Sequence, residues 1–187
     1  MTARIVKKSK WLKVGLVGIL VIFLVLWWIG QRGFDSGDWA IYENDRYGFA
    51  VDYPASWTLG EAPTNNHGRE FISPDKKITC RGYGFYNSLT GESGEPQTLE
   101  EFSDWMLTEE IIVRAGKEET TLDDEKAIEL VWETEDGLAF QGIFTLYQEQ
   151  GYGLSCVFES EEARKAFGPR FRIMVSGFNI FGNQNVN

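Results

Sequence analysis

Catalytic and metal-binding side chains are scarce in this chain, which has one histidine and two cysteines among 187 residues. A zinc site needs several clustered cysteine and histidine ligands, so this composition argues against one. His67, in the sequence NNHG, would need a nearby nucleophile and carboxylate to act in catalysis. Ser155, in GLSCV, lacks the second glycine of a nucleophile elbow. The sequence therefore predicts no enzyme and no cofactor, and it places His67 at a solvated turn.

Acidic residues are absent from residues 1–34, and Asp35 is the first in the chain. From Val14 to Ile29 every residue is apolar or glycine, and residues 11–30 supply about the 20 residues that cross a bilayer. Basic residues precede this run, which predicts a cytoplasmic N-terminus and an extracytoplasmic C-terminal part. No Ala-x-Ala cleavage pattern and no lipid-accepting cysteine follow the run, so we expect an uncleaved anchor that attaches the chain to the membrane.

The predicted organisation is a short tail, an anchor, a linker and one domain. Its parts are a cytoplasmic basic tail (1–10), a transmembrane helix (11–30), a linker (31–40), an extracytoplasmic domain (41–181) and a disordered tail (182–187). Six of the 18 Lys and Arg residues lie within residues 1–32. The remainder therefore has 12 basic against 28 acidic residues, a formal charge of −16. Such a domain would repel phosphates, so we expect no nucleic-acid partner.

Alternating apolar residues predict strands in the folded part. In residues 46–59, Tyr47, Phe49, Val51 and Tyr53 recur at every second position, and Pro54 ends the pattern. Asp136-Gly137 is typical of a hairpin turn, and Gly151 is interpreted as another turn. Hairpins with few helices predict an α+β fold, an antiparallel β-sheet flanked by helices and preceded by the transmembrane helix.

Two helices are expected. Thr98 and Glu101 form a capping box before the apolar residues of the first helix, which we expect to extend to about Glu110. Ser160 can cap the second helix, and Gly168-Pro169 is expected to break or restart it.

The stretch YGFAVDYPASW at residues 47–57 resembles the opening of PsbP-like domains, and FRIMVSGFNIF at residues 171–181 is similar to their closing helix and exit. The order of elements between them fits the same family over about 135 residues. The resemblance implies an antiparallel sheet with helices on its faces and non-enzymatic binding to a larger partner. The family includes a photosynthetic accessory protein, a nuclear-import factor and bacterial envelope proteins. The transmembrane anchor departs from the photosynthetic type, so no photosynthetic role and no binding residue is carried over.

Few residues stand out as candidate sites, and each has a structural alternative. Cys80 and Cys156 could form a disulfide in an extracytoplasmic compartment or remain two buried thiols. Tyr83, Phe85 and Tyr86 could form a contact surface on an exposed strand edge, or they could pack in the core.

Two glycines and three consecutive acidic residues are each predicted to have a role in the fold rather than in ligand binding. Gly82 and Gly84 indicate a bulge or a close backbone approach rather than a phosphate loop. Asp123, Asp124 and Glu125 favour a turn over a cation site, and no metal site is predicted.

Two functions stay open at this level. The first is a membrane-tethered, extracytoplasmic interaction or accessory module, with a protein partner in or near the membrane. The second is an envelope sensor that binds a small ligand or a cation through the loops at residues 60–69 and 87–97.

Overall fold

The computed structural model describes residues 37–86, 97–107, 112–148 and 150–182, with backbone only for Trp105 and residues 112–114. The folded unit begins at Asp38. No helix within the described ranges is long and apolar enough to cross a membrane. The predicted span at residues 11–30 lies outside these ranges. The elements are β1 (Trp39–Asn44), β2 (Phe49–Pro54), β3 (Thr58–Leu59), β4 (Gly68–Ile72), β5 (Ile78–Tyr86), α1 (Leu99–Met106), β6 (Ile112–Leu122), β7 (Glu125–Thr134), β8 (Ala139–Tyr147), β9 (Gln150–Phe158), α2 (Glu161–Ser176) and β10 (Asn179–Ile180).

The strands form two antiparallel sheets. The larger sheet has the order β3-β4-β5-β9-β8-β7-β6, and the smaller has the order β1-β2-β10. Hairpins β6–β7, β7–β8 and β8–β9 account for one half of the larger sheet, and the first two turn at the predicted positions, Asp123-Asp124 and Asp136-Gly137. The α+β prediction of an antiparallel sheet with flanking helices is therefore confirmed for the folded unit. The joining of β5 to β9 is a long-range pairing.

The two faces of the larger sheet are covered by different elements. On one face, buried residues of β5 and β9 join the small sheet and α2 in the main core. On the other face, Leu99 and Phe102 of α1 pack on Ile128, Leu130 and Phe144 in a second cluster. Because side chains alternate along a strand, neighbouring residues of β5 belong to different clusters.

Gly82 and Gly84 lie where the small sheet comes closest to β5. A Cβ on Gly82 would be 3.0 Å from Val51 Cγ1, and one on Gly84 would be 2.7 Å from Tyr47 Cβ. β5 also pairs with β9 without a register shift. The structure therefore shows the close backbone approach at Gly82 and Gly84, and β5 contains no bulge there.

Both helices begin at the predicted caps. Thr98 Oγ1 accepts from the Glu101 N–H at 3.2 Å, and Glu101 Oε2 accepts from the Thr98 N–H at 2.7 Å. Ser160 Oγ accepts from the Ala163 N–H at 3.2 Å at the start of α2. These local bonds satisfy donors that the first turn of a helix leaves free.

The predicted break at Gly168-Pro169 is wrong, because α2 continues to Ser176 with Pro169 inside it. An interior proline costs about 3 kcal/mol relative to alanine. Burying one large apolar side chain contributes about 1.5–3 kcal/mol, and α2 buries three. These are Phe167, Phe171 and Met174. Their burial outweighs the missing hydrogen bond, so the helix persists.

Candidate functional site

A cavity of about 400 Å³ lies on the face of the larger sheet that carries α1. It is lined by strands β5, β8 and β9, by α1, and by the residue that precedes β4. The aromatic and apolar lining residues are Tyr83, Phe85, Phe102, Met106 and Phe140, and the polar ones are His67, Arg81 and Ser155. Its volume falls at the small end of the range for ligand pockets, about 300–1,000 Å³.

Glycines of the central strand β9 shape the floor of this cavity. A Cβ on Gly151 would be 2.0 Å from the Phe85 ring, and one on Gly153 would be 2.8 Å from Phe144. Because glycine has no Cβ, the Phe85 and Phe144 rings pack directly on the backbone of β9, and space for the cavity remains beside them. The interpretation of Gly151 as a turn is wrong, because it lies inside β9 and pairs with Phe85. The alternation Gly-Tyr-Gly at 151–153 is the sequence signal that could have indicated this floor.

His67 connects the cavity to the loop before β4. Its Nδ1 contacts Asn65 Oδ1 and its Nε2 contacts the Arg81 guanidinium. Since Arg81 can only donate, Nε2 accepts and the proton sits on Nδ1, an assignment made from the partners. Burial, followed by the charges of Arg81 and Arg46, holds the pKa of His67 below its usual range. The predicted solvated turn is wrong, because His67 is half-buried and lines the cavity.

Arg81 brings a positive charge to the cavity wall. Its guanidinium lies 5.7 Å from the ring centroid of Tyr83, and its register partner on β9 is Ser155. Burial raises the pKa of the Tyr83 phenol, while a hydrogen bond with Ser155 and the charge of Arg81 oppose that rise. Among the described residues, no carboxylate lies within ion-pair distance of Arg81. Among the described lining residues, Arg81 therefore supplies a cationic group to a wall made mostly of aromatic and apolar side chains.

The three aromatic residues considered as one contact surface are divided between the two faces of β5. Tyr83 and Phe85 line the cavity, whereas Tyr86 is 48% exposed on the opposite face with its ring 5.3 Å from Tyr47. The description of this segment as an exposed edge is wrong for residues 79–83, because β5 pairs there with both β4 and β9. The alternation of strand side chains separates these neighbours.

Cys80 and Cys156 lie directly opposite each other on β5 and β9. Their Cα atoms are 3.9 Å apart and their sulfur atoms are joined in a disulfide. Both residues are fully buried in the main core. Of the two alternatives for this pair, the structure contains the bridge, which connects two central strands behind the cavity floor.

Acidic groups are not arranged as a cation site in the described part of the chain. Asp123 and Asp124 form the β6–β7 turn with left-handed φ angles of 50° and 63°. The Asp123 carboxylate accepts from the Ile180 N–H at 2.6 Å. No group of three His, Cys, Asp or Glu residues within these ranges could hold a metal ion.

A second, polar depression of about 380 Å³ lies beside α2 on the opposite face. Buried Glu129 accepts from Gln141 Nε2 at 2.6 Å and from Arg172 at 2.8 Å. Arg164 forms two bonds with Glu161, at 2.5 and 2.7 Å, and lowers the pKa of that carboxyl to about 2. These groups are paired with one another, which indicates a structural role in fixing α2 on the sheet.

The architecture, a large antiparallel sheet with a small sheet and helices on its faces, is a PsbP-like fold. The solution structure of cyanobacterial PsbP (CyanoP) from Synechocystis is similar with a TM-score of 0.57 and 11% identity, over 80% of this chain and 96% of that one. The Ran-binding protein Mog1p of Saccharomyces cerevisiae has a TM-score of 0.51 and 7% identity, over 79% and 97%. At such identities the likeness concerns the fold alone. No protein-family model and no curated protein sequence matches the chain.

Proposed function

We propose that this chain is a membrane-tethered, extracytoplasmic binding domain without catalytic activity, and that it holds a small apolar ligand in the cavity beside α1. The observation that carries the proposal is the cavity itself, with five aromatic or apolar lining residues and three polar ones. A concave, mostly apolar pocket with a few polar groups is the usual form of a small-molecule site. Of the two functions that the sequence left open, this geometry favours the ligand-binding one.

The polar groups of the cavity support binding rather than catalysis. Both ring nitrogens of His67 are already in contact with other side chains, Nδ1 with Asn65 and Nε2 with Arg81. A general base needs to reach the proton of a nucleophile, and Ser155 interacts instead with the Tyr83 phenol. These contacts orient a ligand and provide no activated nucleophile.

The location is part of the proposal. The apolar run at residues 11–30, with basic residues before it, supports an anchor with the domain outside the cytoplasm. The buried disulfide between Cys80 and Cys156 supports an oxidising compartment. With the PsbP-like fold, these features support membership of the PsbP-like family as a membrane-anchored bacterial member.

A protein partner is the second candidate, supported by an apolar row next to the cavity. Trp132, Phe140 and Val157 are direct neighbours on β7, β8 and β9. The Trp132 and Phe140 rings stack with centroids 3.5 Å apart, and Val157 is 43% exposed. Aromatic rows of this kind are favoured at interfaces. A photocrosslinker at position 157 that captured nothing reproducible from intact membranes would count against this candidate.

The test of the proposed site is binding of the neutral fluorophore N-phenyl-1-naphthylamine to the full chain in zwitterionic lipid nanodiscs. Ser155→Trp fills the floor, and Met106→Trp fills the cavity from the helix side. Val157→Trp places the same side chain on the same face of β9, two residues away and outside the lining. Once the fluorescence of the probe in empty nanodiscs is subtracted, we expect saturable binding that both filling variants abolish and Val157→Trp retains. Equal fluorescence from all four proteins would refute the site.

A further inference from the structure

We propose that the ligand of this cavity carries an anionic group beside its apolar body, and that Arg81 is the residue that selects for it. This inference rests on the proposed function, because it names the ligand class for the same site. The expected class is a compact aromatic or short-chain acid, with a carboxylate, sulfonate or phosphate. A lipid with two acyl chains would not fit a cavity of about 400 Å³.

The first argument is the charge of Arg81. Arginine stays protonated, and its planar group can donate two parallel hydrogen bonds to an oxyanion. A half-buried guanidinium is ordinarily paired with a carboxylate, yet within the described ranges Arg81 contacts only the neutral ring of His67 and the face of Tyr83. An anion in the cavity would supply the missing counter-charge.

The second argument is that Arg81 is held in place before any ligand arrives. His67 Nε2 accepts from Arg81, His67 contacts Asn65 through Nδ1, and the Asn65 carbonyl accepts from Arg46 at 2.8 Å. This chain of contacts reaches from the cavity to the surface. A guanidinium that is already ordered loses less conformational entropy on binding, so each hydrogen bond to a ligand contributes more of its energy.

The third argument compares the distance over which the acidic segment repels an anion with the distance at which Arg81 attracts it. The segment after residue 32 has a formal charge of −16, which repels anions at a distance. Salt screens this repulsion over about 8–10 Å. A contact with Arg81 occurs well inside that length and next to aromatic groups that lower the local dielectric. The local attraction therefore dominates inside the cavity. The acidic surface would discourage anions that cannot enter it.

The test compares two fluorophores that share one skeleton. N-phenyl-1-naphthylamine is neutral, and 1-anilinonaphthalene-8-sulfonate adds an anionic group to it. Both are titrated against the full chain in zwitterionic nanodiscs, with the Ser155→Trp protein as the background. We expect the sulfonate to bind about tenfold to a hundredfold more tightly, the effect of a hydrogen bond to a charged group.

Variants of Arg81 test whether this residue causes the tighter binding of the sulfonate. Arg81→Gln should reduce the affinity ratio of the anionic to the neutral probe to about one, while Arg81→Lys should keep most of it. Lys76→Gln removes the same net charge from an exposed position outside the contacts that hold Arg81, and it should leave the ratio within about twofold. Retained binding of the neutral probe to Arg81→Gln shows that the cavity is intact.

The outcomes separate the two proposals. Binding of the neutral probe with no preference for the sulfonate would overturn the anionic ligand and leave the apolar site standing. Equal ratios in Arg81→Gln and the natural protein would also overturn it. If neither probe binds, both proposals fail. If Arg81→Gln does not fold, Arg81→Met takes its place, and a ratio as high as that of Lys76→Gln would overturn the anionic ligand.

Discussion

Reduction of the Cys80–Cys156 disulfide should remove a large part of the stability of the folded unit. The two cysteines join the central strands β5 and β9 and are separated by 76 residues in sequence. In the chain-entropy account, a bridge stabilises a fold by restricting the unfolded chain, and the restriction grows with the length of the closed loop.

The expected size follows from that separation. For a loop of 76 residues, the entropy relation corresponds to about 4.5 kcal/mol at 25 °C, slightly above the usual range of about 2–4 kcal/mol. A domain of this size has a total stability of about 5–15 kcal/mol. Reduction is therefore expected to lower the free energy of unfolding by about 3–4.5 kcal/mol, without changing which strands pair.

Urea denaturation with and without a thiol reductant measures this difference. The Cys80→Ala and Cys156→Ala double variant is the control, since it should unfold at nearly the same urea concentration with or without reductant. A comparison of oxidised and reduced natural protein isolates the crosslink from the packing of the sulfur atoms. A loss below about 1 kcal/mol in the natural protein would refute this account.

Three further changes test individual elements. Thr98→Ala should lower the free energy of unfolding in urea by about 1 kcal/mol and weaken binding of the neutral fluorophore, since the lost cap holds α1. Pro169→Ala should raise that free energy by about 1–3 kcal/mol, because residue 169 is exposed inside α2. Glu161 has its pKa lowered from 4.5 to about 2 by Arg164, so its contribution is present above pH 4.5 and lost as the pH falls towards 2. Glu161→Gln should flatten acid unfolding across that window, unlike exposed Glu162→Gln. A steep acid transition in the first variant would contradict the role of the ion pair.

Local features were predictable wherever neighbouring residues decide the backbone. The strand around Phe49 with its end at Pro54, the turn at Asp136-Gly137 and the two helix caps follow from side-chain alternation, missing donors and short-range hydrogen bonds. Each involves residues within a few positions of one another, so the sequence contains the whole interaction.

The wrong predictions share one cause, which is that a distant contact overrode a local preference. Pro169 stays helical because α2 packs its apolar side against the core. Gly151 is a strand residue because the Phe85 ring needs the space above it. His67 is half-buried because its carbonyl accepts from the Gly84 N–H at 2.8 Å, which holds it next to β5.

Residue order alone accounts for the hairpins, the helix starts, the acidic character of the domain and the apolar run at residues 11–30 from which the anchor is predicted. The pairing of β5 with β9 depends on the tertiary fold. That pairing aligns Cys80 with Cys156 and places Arg81 beside Ser155. The physical reason is that strand alternation specifies which side chains share a face, but the order of strands depends on contacts between residues far apart in the chain. The cavity is a product of that order.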